Sequence, residues 1–136
     1  MMLIQDNEIH QVANEIMNML NEEEIEGINA LYEAVVDEDI EKIDELFRAH
    51  VESVEAHFKA EEELMQEHRY PALAAHKRDH DTIVKKLQKF LKRWEVLKGP
   101  NEVRAFLERD VKKWWPQHIS RFDAQTALKL GHAEEY

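Results

Sequence analysis

The chain has 136 residues, no cysteine, and 29 acidic against 18 basic side chains, giving a formal net charge of -11. That length suits one domain able to bury roughly two thirds of its unfolded surface, and the missing thiols exclude disulfides, thiolate metal sites and cysteine nucleophiles. The negative balance argues against nucleic acid and anionic membranes as main partners, because phosphate binding is led by positive charge. No apolar run reaches the roughly 20 residues of a membrane span, and the opening MMLIQDNEIH lacks the basic and apolar regions of a signal peptide, so a cytoplasmic location is expected.

The predicted elements are all helical. At 100° per residue Ile9, Val12, Ile16, Met19 and Leu20 form one apolar stripe. Ile25, Ile28, Leu31, Tyr32 and Val35 form another, rotated from the first by roughly 120°. One straight helix cannot bury both, so a break is expected around Asn21 to Glu24, with residues 7–20 as a separate arm. The main helices are expected over about 22–36, 40–67, 72–98 and 101–130. Asp39 suits the N-cap of the second, Pro71 the first turn of the third, and Gly99 the end of the third, with Pro100 or Asn101 opening the fourth. Pro116 is expected to kink the fourth helix just before His118. Short connections make neighbours antiparallel. The expected fold class is therefore all-α: an up-down-up-down antiparallel four-helix bundle with an N-terminal helical arm. It forms a single domain over 1–136, with the arm at 1–20 and the bundle at 22–130.

Four of the eight histidines fall within HFKAEEELMQEHRYPALAAHKRDH, residues 57–80. In an antiparallel pair, residues equally far from the joining turn share a height. About the second connection Glu61 matches His76, and His57 matches His80. About the third, His80 matches His118, and His76 matches Asp123. With a rise of about 1.5 Å per residue, all six lie within roughly one and a half turns of one level. His57 and Glu61 share a helix face at i,i+4, as do His76 and His80; His118 and Asp123, five apart, can converge from two flanks. His50 is about 10 Å along the helix from His57 and is expected outside the ligand set, either supporting the ligands from behind or at the surface. Imidazole and carboxylate suit iron, manganese or zinc. No HExxH motif is present to support metalloprotease chemistry. Four histidines with two carboxylates exceed one catalytic zinc and fit two metals.

The segments HFKAEEELM, YPALAAHKRDHD, WWPQHISRFD and INALYEAV resemble the hemerythrin family, in particular its single-domain bacterial members. The resemblance implies two non-haem iron ions, oxo- or hydroxo-bridged, inside a four-helix bundle that reversibly binds O2. It places His76, His80 and His118 on one iron, His57 on the other, and Glu61 and Asp123 between them. Trp114, Trp115 and Ile119 match the apolar residues that line the family's oxygen pocket.

The chain departs from the family at one ligand. The family supplies a further histidine from its first helix, and an ungapped match through INALYEAV puts Asn21 there. His10 is mismatched in height by about 13 Å, so only a refolded N-terminal arm or a partner chain would bring it in. Glu24, on the same face as Ile28 and Leu31, stands where the family carries an apolar residue. A buried glutamate without a partner is costly, so Glu24 is expected to ligate the second iron or to sit within reach of its exogenous ligand. Three functions follow: an O2 carrier, store or sensor; a di-iron enzyme that consumes O2 or peroxide; and a metal-depleted interaction module. The rotated N-terminal stripe is expected to serve a homodimer.

Overall fold

The computed structural model describes residues 2–5 and 14–130. Among these the chain is helical throughout its regular elements, with no strand. Helix α1 spans Glu15–Val36, α2 Ile40–Glu67 and α3 Leu73–Leu97. Helix α4 runs from Pro100 to Leu130 as three α-helical stretches, Pro100–Phe106, Lys112–His118 and Ala124–Leu130. Two π turns join them, Leu107–Val111 and Ile119–Asp123. The helices pack as a bundle, α1 on α2 and on the first stretch of α4, and α2 on α3 and on the last stretch of α4.

The expected break at Asn21 to Glu24 does not occur. Helix α1 is continuous from Glu15, capped by Asn14, whose side-chain oxygen accepts from the Met17 amide at 3.0 Å. The physical reason lies in which face is buried. Met17, Asn21, Glu24, Ile28, Leu31 and Val35 recur at alternating spacings of four and three and form one buried stripe along the whole helix. Ile16 and Met19 stay exposed, at 37% and 53%. Two polar residues thus belong to the buried face, and a reading that counted only apolar side chains split it in two. Ile9, His10 and Val12 lie outside the described residues.

The helix links follow the sequence closely. Asp39 caps α2, accepting from the Lys42 amide at 3.2 Å, and Glu38 before it turns the chain in the left-handed region at φ 54°. Pro71 stands in the turn before α3 and not in its first turn, because Ala72 is the N-cap; Arg69 makes the reversal at φ 51°. At the third link Lys98, at φ 49°, ends α3, and extended Gly99 caps α4 with Pro100 in its first turn. Pro116 lies in the middle α-helical stretch of α4, with a π turn on either side.

Ile28, Leu31, Ile43, Phe47, Val54, Leu87, Leu107 and Ile119 fill the core. At one end Asp44 ties α2 to α3, accepting from Trp94 Nε1 at 3.1 Å and from Lys98 Nζ at 2.6 Å. The short segment at Leu3 and Ile4 is buried and docks on α1 through Asn29. The Asn29 side-chain oxygen accepts from both amides, at 2.9 and 3.0 Å, and its NH2 donates to the Ile4 carbonyl at 3.0 Å.

Candidate metal centre

Five side chains from three helices meet in the interior. Glu61 of α2, His76 and His80 of α3, and His118 and Asp123 of α4 each offer one donor atom, all within 4.8 Å of one another. All five are buried. The i,i+4 pair on α3 needs only regular helix geometry. The pair on α4 needs more, because residues five apart in an α-helix point about 140° away from each other. The π turn at Ile119–Asp123 supplies the difference: closing from i to i+5, it brings Asp123 round beneath His118.

The donor atoms of this cage lie close together, and His76 Nε2 and His118 Nε2 are 3.3 Å apart. His76 Nε2 and His118 Nε2 stand 3.0 and 3.1 Å from Asp123 Oδ1, and His80 Nε2 stands 3.2 Å from Glu61 Oε1. Yet both Asp123 oxygens, Glu61 Oε1 and His80 Nε2 have no aligned hydrogen bond among the described residues. Two buried carboxylates left so would be costly, and a bound cation removes the cost.

The electrostatics make the same demand for positive charge. Burial alone would lower the His118 ring, but the Asp123 carboxylate, with the hydrogen bond the ring donates to Asp79, carries it up to about 10. Burial likewise opposes charge on His57, and the neighbouring Glu24 and Glu61 raise it to about 9. Burial and the Asp123 charge push the Glu61 carboxyl up, and its hydrogen bond to His57 with the nearby His80 ring holds it below its usual value. Asp123 is held far below the ordinary carboxylate range: burial works against this, and the His118 and His76 rings outweigh it.

Each cage ring is fixed from behind. His76 Nδ1 meets Thr126 Oγ1 at 2.7 Å, His80 Nδ1 meets Glu62 at 2.9 Å, and His118 Nδ1 meets Asp79 at 2.5 Å. Such partners set the tautomer, leave Nε2 free to ligate, and raise ligand basicity. Sequence reasoning missed all three. Asp79 beside His80 and Thr126 three after Asp123 were available signals, but adjacency in a helix does not say which ring a side chain will reach.

His57 stands beside the five, its Nε2 at 2.5 Å from Glu61 Oε2. Glu24 is 2% exposed, as its place on the buried stripe requires, with Oε1 at 3.6 Å from His57 Nδ1. Asn21 is also 2% exposed, and neither polar atom of its side chain is satisfied among the described residues. His50, expected behind the ligands or at the surface, is buried, and its Nδ1 lies 3.5 Å from Glu24 Oε2. Trp115 is buried edge-on to His57 at 5.8 Å and stacked on Phe58 at 5.8 Å, and Ile119 is fully buried. Trp114 is half-buried, against Phe106 and beneath the Lys86 ammonium.

Residues 6–126 match the family described as the Hemerythrin HHE cation binding domain. The chain belongs to the hemerythrin family. It is 38% identical over 130 residues to a bacteriohemerythrin of Aquifex aeolicus, covering 96% of this chain and 99% of that one. It is 31% identical over 96 residues to one of Methylococcus capsulatus, covering 71% and 72%. To one of Stenotrophomonas maltophilia it is 32% identical over 112 residues, covering 82% and 65%. No solved structure gives a significant match. Within the hemerythrin family, a cage of three imidazoles and two carboxylates is a donor set suited to a hard or borderline cation such as iron. No helix among the described residues is long and apolar enough to cross a membrane.

Proposed function

We propose that this hemerythrin is a non-haem di-iron protein that binds O2 as a carrier, store or sensor. The observation that carries the reading is the buried cage itself, three imidazole nitrogens and two carboxylates converging, with both Asp123 oxygens, Glu61 Oε1 and His80 Nε2 left without a hydrogen-bond partner among the described residues. His76, His80 and His118 would hold one iron and His57 the other, with Glu61 and Asp123 between them. Iron so held supplies the electrons and the open coordination position that O2 binding requires. The chain's own residues do the rest. Thr126, Glu62 and Asp79 keep three rings turned inward. Trp115 and Phe58 close the His57 side with apolar surface that keeps water out, and Ile119 is buried in the same core. An up-down-up-down course of the four helices accounts for residues of equal height meeting. The absence of cysteine supports a cytoplasmic setting.

The relatives named bacteriohemerythrin support O2 as the ligand. The test is to add O2 to the anaerobically reduced, iron-loaded protein. A long-lived coloured oxygenated form that bleaches under vacuum is expected; immediate conversion to the oxidised form contradicts the carrier. That second outcome would favour an oxidase or peroxidase. Asn21 and Glu24 support this alternative, because a carboxylate near the second ion in place of an imidazole favours the ferric state. Size determination on the same sample tests a homodimer built on the exposed Ile16 and Met19 side chains.

A further inference from the structure

The four site rings are not held alike. His76, His80 and His118 each turn Nε2 into the cage and give Nδ1 to a partner within 2.9 Å. His57 turns Nε2 to Glu61, and its Nδ1 faces Glu24 Oε1 at 3.6 Å, too long for a hydrogen bond. Glu24 comes from α1 and approaches the ring from the side opposite Glu61. It is outside the group of five whose donor atoms converge.

Glu24 is itself positioned. Ser53 Oγ, at the surface of α2, donates to Glu24 Oε1 at 2.7 Å, and His50 Nδ1 stands 3.5 Å from Oε2. Glu24 Oε2, His50 Nδ1 and His57 Nδ1 are all buried and have no hydrogen-bond partner among the described residues. A carboxylate at 2% exposure between two imidazoles, seated on a buried helix face beside Asn21, Ile28 and Leu31, is not a packing residue.

We propose that Glu24 is the positioning residue of His57: it accepts the Nδ1–H of that ring when Nε2 holds the second iron, with Ser53 and His50 keeping the carboxylate in place. This rests on the two-iron reading above. Helix α1 then acts on the second ion through an α2 ring and not by a ligand of its own. It completes a pattern already present three times, in Thr126, Glu62 and Asp79. A shift of less than 1 Å in the ring or the carboxylate closes the 3.6 Å gap to hydrogen-bond length. A carboxylate in this place makes His57 a more basic ligand and fixes its tautomer.

Cobalt(II) titration of the metal-free full chain tests it, using wild type, Glu24→Gln, Glu24→Leu and Ser53→Ala, with helix content checked by circular dichroism. Wild type should bind two ions. Both Glu24 variants should still bind two at saturation, with the second about 10–100-fold weaker and the first unchanged. Ser53→Ala, which leaves the carboxylate in place, should weaken the same ion by less. In the cobalt form, one of the four exchangeable, paramagnetically shifted imidazole N–H signals should be lost from Glu24→Leu, which removes the acceptor, while three stay. A merely structural role would not single out one ring. Saturation of Glu24→Gln at one ion would make Glu24 a ligand and overturn the proposal, as would unchanged affinity and all four signals. A wild type that binds fewer than two ions would overturn the two-iron reading itself, and the proposal with it.

Discussion

His118 and Asp123 are five residues apart in the chain, yet His118 Nε2 lies 3.1 Å from Asp123 Oδ1, because a π turn at Ile119–Asp123 replaces one turn of α-helix between them. The turn therefore sets the register of two site residues, at the kind of place where π turns frequently lie. Inserting one alanine after the exposed Ser120 should put the pair six apart and rotate Asp123 and Thr126 about 100° away from His118 and His76. Metal content should fall to one ion or none while helix content holds. Retention of both ions by the insertion variant would show that this register does not matter to binding.

The partners behind the rings should be worth nearly as much as the ligands. Asp79→Asn removes the carboxylate that holds His118 Nδ1, and its own carboxyl is kept below the usual range chiefly by that bond. Affinity for the first ion should drop about 10–100-fold without loss of fold. Equilibrium competition with a chromophoric chelator reads this directly.

Metal binding should release protons. His57 and His118, raised to about 9 and about 10, hold their protons at pH 7 without metal and must give one up to ligate. About two protons per chain should leave on loading at pH 7, read by calorimetry in buffers of different ionisation enthalpy. The sign for stability follows. A raised folded value contributes stability fully present below the unfolded value of about 6.5 and lost as pH rises through the folded one. The metal-free protein should therefore lose stability between about pH 7 and pH 10, and the loaded protein should not.

At the end where Asp44 joins α2 to α3, the carboxyl is lowered by its hydrogen bond to Lys98 first and to Trp94 second. A depressed value means stability present above the unfolded value of about 3.9 and lost as pH falls through the folded one. Asp44→Asn should lower Tm at pH 7, and its difference from wild type should shrink toward zero near pH 3. An undiminished difference at pH 3 would assign the effect to packing.

Much of this was legible in the sequence, and what was not has physical causes. Helix ends came within a residue or two wherever a cap or proline marked them, as at Asp39 and Pro100. The six residues matched in height are brought close together because helix rise is uniform. Helix α1 was misread because Asn21 and Glu24 are polar yet sit on its buried face, so hydrophobic periodicity alone missed the stripe they complete. For His50 spacing along α2 leaves two places open, behind the ligands or at the surface; its burial beside Glu24 depends on side-chain direction, which spacing does not give. The docking of Leu3 and Ile4 on Asn29 is a long-range contact with no local signature.

The most direct test is the iron content of the full chain, purified without added chelator from cells grown with abundant iron. Two iron ions per chain are expected, falling below two in Glu61→Ala and in Asp123→Ala, which remain folded. A wild-type protein that is folded, colourless and free of metal would contradict the account.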